Sequence, residues 1–413
     1  MAQSATLERI LRDFDAAAPQ LPDGVVPRED RMRAAQELSR LGWPSARDEQ
    51  WRYANLRAFD RVREFRPRAA TAQSGLQLPD PLPGFERLLF VDGRRAQAAT
   101  SNAVPAAYET WPADQRLGLL CDMFASDLCS LRIHGAAAIE VLFVTSEAAS
   151  GASVYPRLQV QLERGSELKL VERHLGAPAA PTLVAANALI GIDPGARLTH
   201  YRLQQCGAHS VLSDTLAANV AAEATYRVQQ IAIGAATART SAQVRLNGRA
   251  AALNWQAIGV GRAEQVHDVA LKVEHRAPNT RTEEVFRGIA EEHARIAFNG
   301  HIHISSDSPG SDARQSLRGL IEGAGAEIDL RPRLEINTDD VRAQHGATTG
   351  QLDENLLFYL LARGLDRKTA RALLKWAFLG DVLRTIDLPA LRRAAEQGTA
   401  GQLPDVMAIG ALT

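Results

Sequence analysis

The chain has 413 residues, enough for about three domains. Its 46% hydrophobic and 23% charged content is that of an ordinary globular protein, which excludes collagen-like, wholly disordered and membrane-embedded classes. The 47 Lys and Arg against 48 Asp and Glu leave a net charge of -1, so no overall basic field draws the chain to nucleic acid or a membrane surface.

The first residues, Met1 to Arg9, carry an early acidic residue and no apolar run of secretory type, which points to the cytoplasm. Leu7, Ile10, Leu11 and Phe14 recur at steps of three and four and predict a helix; a second runs from about Arg28 to Leu41 and stops at Gly42, with Pro44 beyond. Between 66 and 86 stand Pro67, Pro79, Pro81 and Pro83 with Gly75 and Gly84, the composition of an exposed connector. Two short strands around an Asp92-Gly93 turn follow, then a helix from about Pro112 to Leu128 with Leu117, Leu120, Cys121 and Phe124 on one face. Residues 1–130 therefore read as an N-terminal helical region.

From 131 to 338 the texture is that of strands. Alternating runs such as Leu158 to Leu162 and Leu198 to Leu203 are separated by Gly, Asn, Asp and Pro turns. Small turn residues followed by a strand start recur at Gly165–Leu168, Gly195–Leu198, Glu223–Tyr226, Arg249–Leu253 and Gly325–Ile328. The first four are evenly spaced and the last gap is near three times as long, a pattern that suggests a degenerate β-solenoid, with a β-sandwich as the alternative. The apolar stretch 178–192 is too short to span a bilayer and is broken by Pro181 and Asn187.

Residues 339–413 return to helical texture and form a C-terminal helical domain. A helix from about Asp353 to Arg363 ends at Gly364, Asp366 is placed to cap a longer one reaching about Thr385, and Pro389 opens a third. The long helix spreads Leu373, Leu374, Trp376, Phe378, Leu379, Val382 and Leu383 around its circumference. It is either sandwiched inside its own domain or turned in part toward a partner.

Few residues point to chemistry. None of the four lysines, Lys169, Lys272, Lys368 and Lys375, follows a glycine, so the chain has no phosphate-cradling G-x-x-x-x-G-K-S/T loop and is not itself a P-loop ATPase. Cys121, Cys129 and Cys206 form no C-x-x-C pair and suit a reducing compartment as buried small residues. His301 and His303 leave one face of a strand, with His293 upstream, but no third metal ligand stands at a recognisable spacing. The chain has no G-x-S-x-G nucleophile elbow. Asp312, Glu322, Asp329 and Arg333 are the residues a lyase-like, carbohydrate-active β-helix enzyme could use; this is the alternative function. His345, in the run Asp339 to Gly350, is read as a lone histidine in a Gly-flanked turn where strands give way to helices, able to ligate iron or zinc or to cap the turn.

The same run carries a resemblance. Leu334-Glu335-Ile336, Asp339-Asp340-Val341, His345-Gly346-Ala347-Thr348, Gly350 to Glu354, Leu357 to Leu360 and Arg363-Gly364 closely resemble the end of the SufB/SufD scaffold family. Phe298-Asn299-Gly300, Ile302-His303 and Gln315-Ser316 are similar to its last core strands. Gly42-Trp43-Pro44 and Glu49 to Tyr53 with Leu56 are similar to the leading segment of the SufD branch.

The resemblance implies a right-handed parallel β-helix core between N- and C-terminal helical domains. It also implies a non-catalytic subunit for iron–sulfur cluster assembly, linked to iron acquisition. This subunit pairs with a SufB-like scaffold and holds a SufC-like ABC-type ATPase on its C-terminal helices, where Leu357, Leu360, Leu374, Phe378 and Val382 are the expected contacts. No cofactor is expected to bind tightly to the chain alone, iron or a cluster being held transiently in the complex. A homodimer is compatible with the isolated chain. The family commonly has Asp-Asp-Val-Lys-Cys-Ser-His-Gly where this chain has Ala343 in the cysteine's place. His345 is then the remaining ligand candidate on this subunit.

Overall fold

A computed structural model describes residues 4–68, 76, 78–96, 116–176 and 178–408. Helices α1 (Ala5–Ala17), α2 (Arg28–Leu41), α3 (Leu56–Asp60) and α4 (Gly118–Phe124) precede or interrupt the first strands. Helices α5 (Glu354–Ala362), α6 (Arg367–Leu383), α7 (Pro389–Gln402) and α8 (Pro404–Ala408) follow the last. Of the helix expected over 112–128, α4 is the described part, and 112–115 lie outside the described residues.

The middle of the chain winds as a parallel β-helix with two sheets. One carries, in chain order, β1 (Glu86–Val91), β2 (Arg94–Arg95), β4 (Ala136–Val144), β7 (Glu167–Gly176), β9 (Arg197–Cys206), β11 (Thr225–Ile233), β13 (Ala252–Gly261), β15 (Arg281–Glu291), β17 (Ser311–Glu322) and β19 (Val341–Gly350). The other carries β3 (Cys129–Ile133), β6 (Arg157–Leu162), β8 (Thr182–Ile192), β10 (Ser210–Val220), β12 (Thr237–Leu246), β14 (Val266–His275), β16 (Arg295–Ile304) and β18 (Glu327–Ile336), with β5 (Ser153–Val154) beside β8. Each coil thus adds one strand to each sheet.

The corners of the coils share one backbone conformation. Gly165, Gly195, Glu223, Ala250, Asn279 and Gly310 all have positive φ, and each stands just ahead of a strand of the first sheet. Only three of them are glycine, the residue that adopts this conformation without cost. The coils turning at Asn279 and Gly310 went unread, whereas Gly325 precedes β18 and so marks the opposite sheet.

Three large cores and two small ones are found among the described residues. Inside the coils, Val228, Leu253, Trp255, Val269, Leu271, Phe286, Phe298 and Leu317 are among a continuous buried cluster. Leu7, Ile10, Phe14, Leu38, Trp51 and Phe124 pack the N-terminal helices onto Leu183, Leu189, Val211 and Ala217 of the second sheet. On the first sheet, Tyr201, Leu203, Ile231, Ile258, Val260 and Ile289 receive Ala372, Leu379, Val382, Leu383, Leu391 and Leu403 of the C-terminal helices. A strand covered on both faces is buried almost throughout, as β8 is, while β17 alternates buried and open positions.

Two boundaries shift. β1 pairs with β4 in parallel register, so the solenoid begins inside the region read as helical. β19 pairs with β17 along its length, so the last coil extends to Gly350, eleven residues past the Asp339 at which helical texture was expected to return.

Candidate functional site

The last coil forms the candidate site. In the inner core, Ile328, Leu330, Leu334 and Val341 are only partly buried, and Ile336 is 39% exposed. On β19 every residue from Gln344 to Gly350 is exposed, and the strand, last in its sheet, bonds only to β17. An edge strand in this state offers a row of unpaired N–H and C=O groups beside an open apolar layer. His345 is not in a turn: it sits mid-strand on β19, opposite Gln315 of β17. The expected turn does not form because Gly346 and Gly350 are accommodated in an exposed edge strand, where an added Cβ atom would touch nothing within 4 Å.

Register fixes which way these side chains point. Trp255, Glu284, Gln315 and His345 are successive partners across β13, β15, β17 and β19. The first three are buried, so the row belongs to the interior and His345 is its last member at the open end. Ala343, where the family cysteine would stand, pairs with the buried Ala313 and continues a parallel inner row. A soft sulfur ligand is therefore absent from this chain's side of the end face, and one imidazole cannot complete the coordination of iron or a cluster.

Glu284 is unusual in that row. Its Oε2 accepts a hydrogen bond from Gln315 Nε2 at 2.8 Å, and burial lifts the carboxyl to about 8 against only that one favourable bond. Glu172, buried in the same sheet, is treated differently: Arg202 Nε stands 3.1 Å and His174 Nε2 2.7 Å from its oxygens. Although burial opposes it, these partners hold the Glu172 carboxyl well below the usual range.

The C-terminal helices offer a second surface. Leu356, Phe358 and Tyr359 on α5 are 53%, 72% and 55% exposed. Of the expected contact residues, Leu357 and Val382 are buried within this chain and have no side-chain surface for a partner. Leu360, Leu374 and Phe378 are half-buried, the last two packed against the core under α6. Leu356 to Leu361 are all apolar or aromatic and give the sequence no phase; the phase comes from where α5 touches α6.

The remaining candidates do not assemble into sites. His301 and His303 approach Glu335 at 3.4 and 3.7 Å, but burial and the Arg333 and Lys272 charges lower the His301 pKa, a setting hostile to a cation. Among the described residues no group of three or more His, Cys, Asp or Glu is placed to hold a metal ion. Cys121, Cys129 and Cys206 are buried and free, and burial pushes each thiol up to about 12. Asp312 and Glu322 lie on β17 and Asp329 and Arg333 on β18, in different sheets. Asp312 pairs with Arg314, and Glu322 is covered by Arg371 and Lys375, so they form no lyase-like constellation.

A parallel β-helix that buries helices on both sheets and leaves its last coil open is a protein built to present surfaces. Comparison with known proteins narrows that class. The family described as SUF system FeS cluster assembly, SufBD core domain, matches residues 143–378. The iron–sulfur cluster assembly protein SufD of Escherichia coli is 25% identical over 392 residues, covering 89% of this chain and 91% of that protein. An iron–sulfur cluster assembly SufBD family protein of Synechocystis is 27% identical over 406 residues, covering 89% of each. The chloroplastic protein ABCI7 of Arabidopsis thaliana is 26% identical over 250 residues, or 60% of this chain and 53% of that one. The chain belongs to the SufBD family of SUF-system iron–sulfur cluster assembly proteins and is of the SufD type. No helix among the described residues is long and apolar enough to cross a membrane.

Proposed function

We propose that this chain is a non-catalytic scaffold subunit of a cytoplasmic SUF assembly complex, and that its open last coil is the seam with a SufB-like scaffold. The observation that carries the reading is the uncovered end of the inner core at β18 and β19, with His345 in its inner row. Solenoids need their terminal coils capped, and a second scaffold of the same fold supplies matching strands and apolar residues. In the absence of that partner, a second copy of this chain can cover the same end. At the seam His345 ligates iron or a nascent cluster as cargo, which is how the subunit takes part in iron acquisition. The SufB-like partner supplies the thiolate that Ala343 does not.

A SufC-like ATPase docks on the C-terminal helices. Leu356, Phe358 and Tyr359 support this, being three large apolar side chains exposed along one short helix, the aromatic kind of anchor that dominates protein interfaces. The ATPase brings the nucleotide chemistry that this chain's sequence lacks.

Co-expression with a tagged SufB-type scaffold and a SufC-type ATPase, followed by pull-down and sizing, tests both surfaces. A defined three-component complex is expected. Phe358→Asp combined with Tyr359→Asp should weaken ATPase retention by about 30-fold or more while the scaffold still co-purifies. Failure of the wild-type chain to associate with either protein would overturn the reading.

A further inference from the structure

The inner row that ends at His345 contains two groups that a purely structural core would not need. Glu284 is fully buried and Gln315 is 4% exposed. Gln315 Nε2 donates to Glu284 Oε2 at 2.8 Å and to the Gly300 carbonyl at 3.1 Å, which commits both of its amide hydrogens. A Cβ at residue 300 would stand 2.6 Å from Gln315 Nε2 and 2.6 Å from Glu284 Oε2, so glycine there leaves the pair its room. The Gly300 carbonyl can only accept, so the carboxamide keeps this orientation whether or not Glu284 carries a proton. Gln315 Oε1 is left buried with no hydrogen-bond partner among the described residues. Its lateral neighbours in register are Glu284 on one side and His345 on the other. Buried polar atoms are rarely left unpaired, and the group next in the row is an imidazole that can donate.

We propose that Gln315 and Glu284 are positioning residues for His345: the exposed His345 ring, which makes no bond to Gln315 in this structure, turns inward so that Gln315 Oε1 accepts its N–H, and Glu284 holds the carboxamide in place to receive it. This rests on the reading of His345 as a ligand at the seam. The contact fixes one neutral tautomer and leaves the other ring nitrogen with its lone pair directed at the cargo metal. Histidine ligands are commonly oriented by such an acceptor, and its removal typically costs 10–100-fold in metal affinity.

The test uses the full chain with ¹⁵N-labelled histidine, the His345 signals being assigned by their loss in His345→Ala. One neutral tautomer is expected in the wild type, read from the two ring ¹⁵N shifts. Gln315→Leu and Glu284→Leu should each bring those shifts together, as the two tautomers mix, in variants that remain folded by sizing and circular dichroism. In the assembled complex, cobalt(II) serves as the metal probe. Gln315→Leu should weaken its binding roughly tenfold or more, and His345→Ala at least as much. Mixed tautomers in the wild type, or a Gln315→Leu variant with unchanged shifts and unchanged cobalt affinity, would overturn the positioning role. A locked tautomer combined with undiminished cobalt binding by His345→Ala would instead overturn the ligand reading beneath it.

Discussion

Replacing Glu284 by Gln should make the isolated protein more stable, by about 3–5 kcal/mol at pH 8. The carboxyl rises from 4.5 to about 8 in the folded chain because burial penalises its charge, and a single bond from Gln315 does not compensate. Between these two values the folded state binds the more protons. Stability is therefore fully present below about pH 4.5, falls as pH rises toward 8, and is constant above, when the proton is lost from both states. Glutamine keeps the shape and an acceptor for Gln315 but has no charge to bury. Urea denaturation across pH 4 to 9 should show wild type and variant nearly equal at pH 4 and diverging steadily above it. Parallel curves with no growing gap would mean that Glu284 is ionised and compensated in the folded state. A residue that costs this much stability, two strands from the one ligand candidate, is the kind of compromise made at functional positions.

That row was legible in principle. Glu284 lies in phase with Thr282 and Phe286, Gln315 with Ala313 and Leu317, and His345 with Ala343 and Ala347, so period two alone assigns each of them to the inner face once the strands are known. The strands were known only in part. Central strands buried on both faces read as continuous apolar runs, and the corners at Asn279 and Gly310 were not legible, although those at Glu223 and Ala250, which also lack glycine, were. The helical ends were easier. Asp353 and Asp366 accept from the backbone N–H groups two and three residues on, as N-caps should, and Pro389 opens α7. The strand β19 was missed for a reason of its own: Val341 to Gly350 has little apolar content because in this chain it is an exposed edge, and alternation fades where one neighbour is missing. The end that carries the candidate site was thus the least strand-like in sequence, and the motif resemblance located it instead.

Which face of α5 is free depends on how the C-terminal helices are pinned to the solenoid, and Lys375 is the pin. Its Nζ lies 2.6 Å from Glu291 Oε1 on β15, 3.5 Å from Glu322 Oε2 on β17 and 2.7 Å from Asp405 Oδ2 on α8. One buried cation on α6 thereby ties two strands of the sheet to the last helix. Burial works against the ammonium, but hydrogen bonds to Asp405 and Glu291 raise its pKa above the ordinary lysine value. Lys375→Met keeps most of the stem's packing and removes the charge, leaving Glu291 and Asp405 facing each other without a counter-ion while Arg371 retains Glu322. Breaking a buried pair in this way costs about 3–5 kcal/mol. Denaturant titration should register that loss, and hydrogen exchange should localise it to α6 and α8, with the inner coils still protected. The double variant Lys375→Met, Glu291→Gln should recover part of the loss, because the uncompensated charge on β15 is then gone. Equal stability of Lys375→Met and wild type would mean that the network is neutral and that apolar packing alone seats the helices. If the network is the pin, Lys375→Met should also release the ATPase from the assembled complex with Phe358 and Tyr359 intact, since those side chains reach a partner only from a helix held in place.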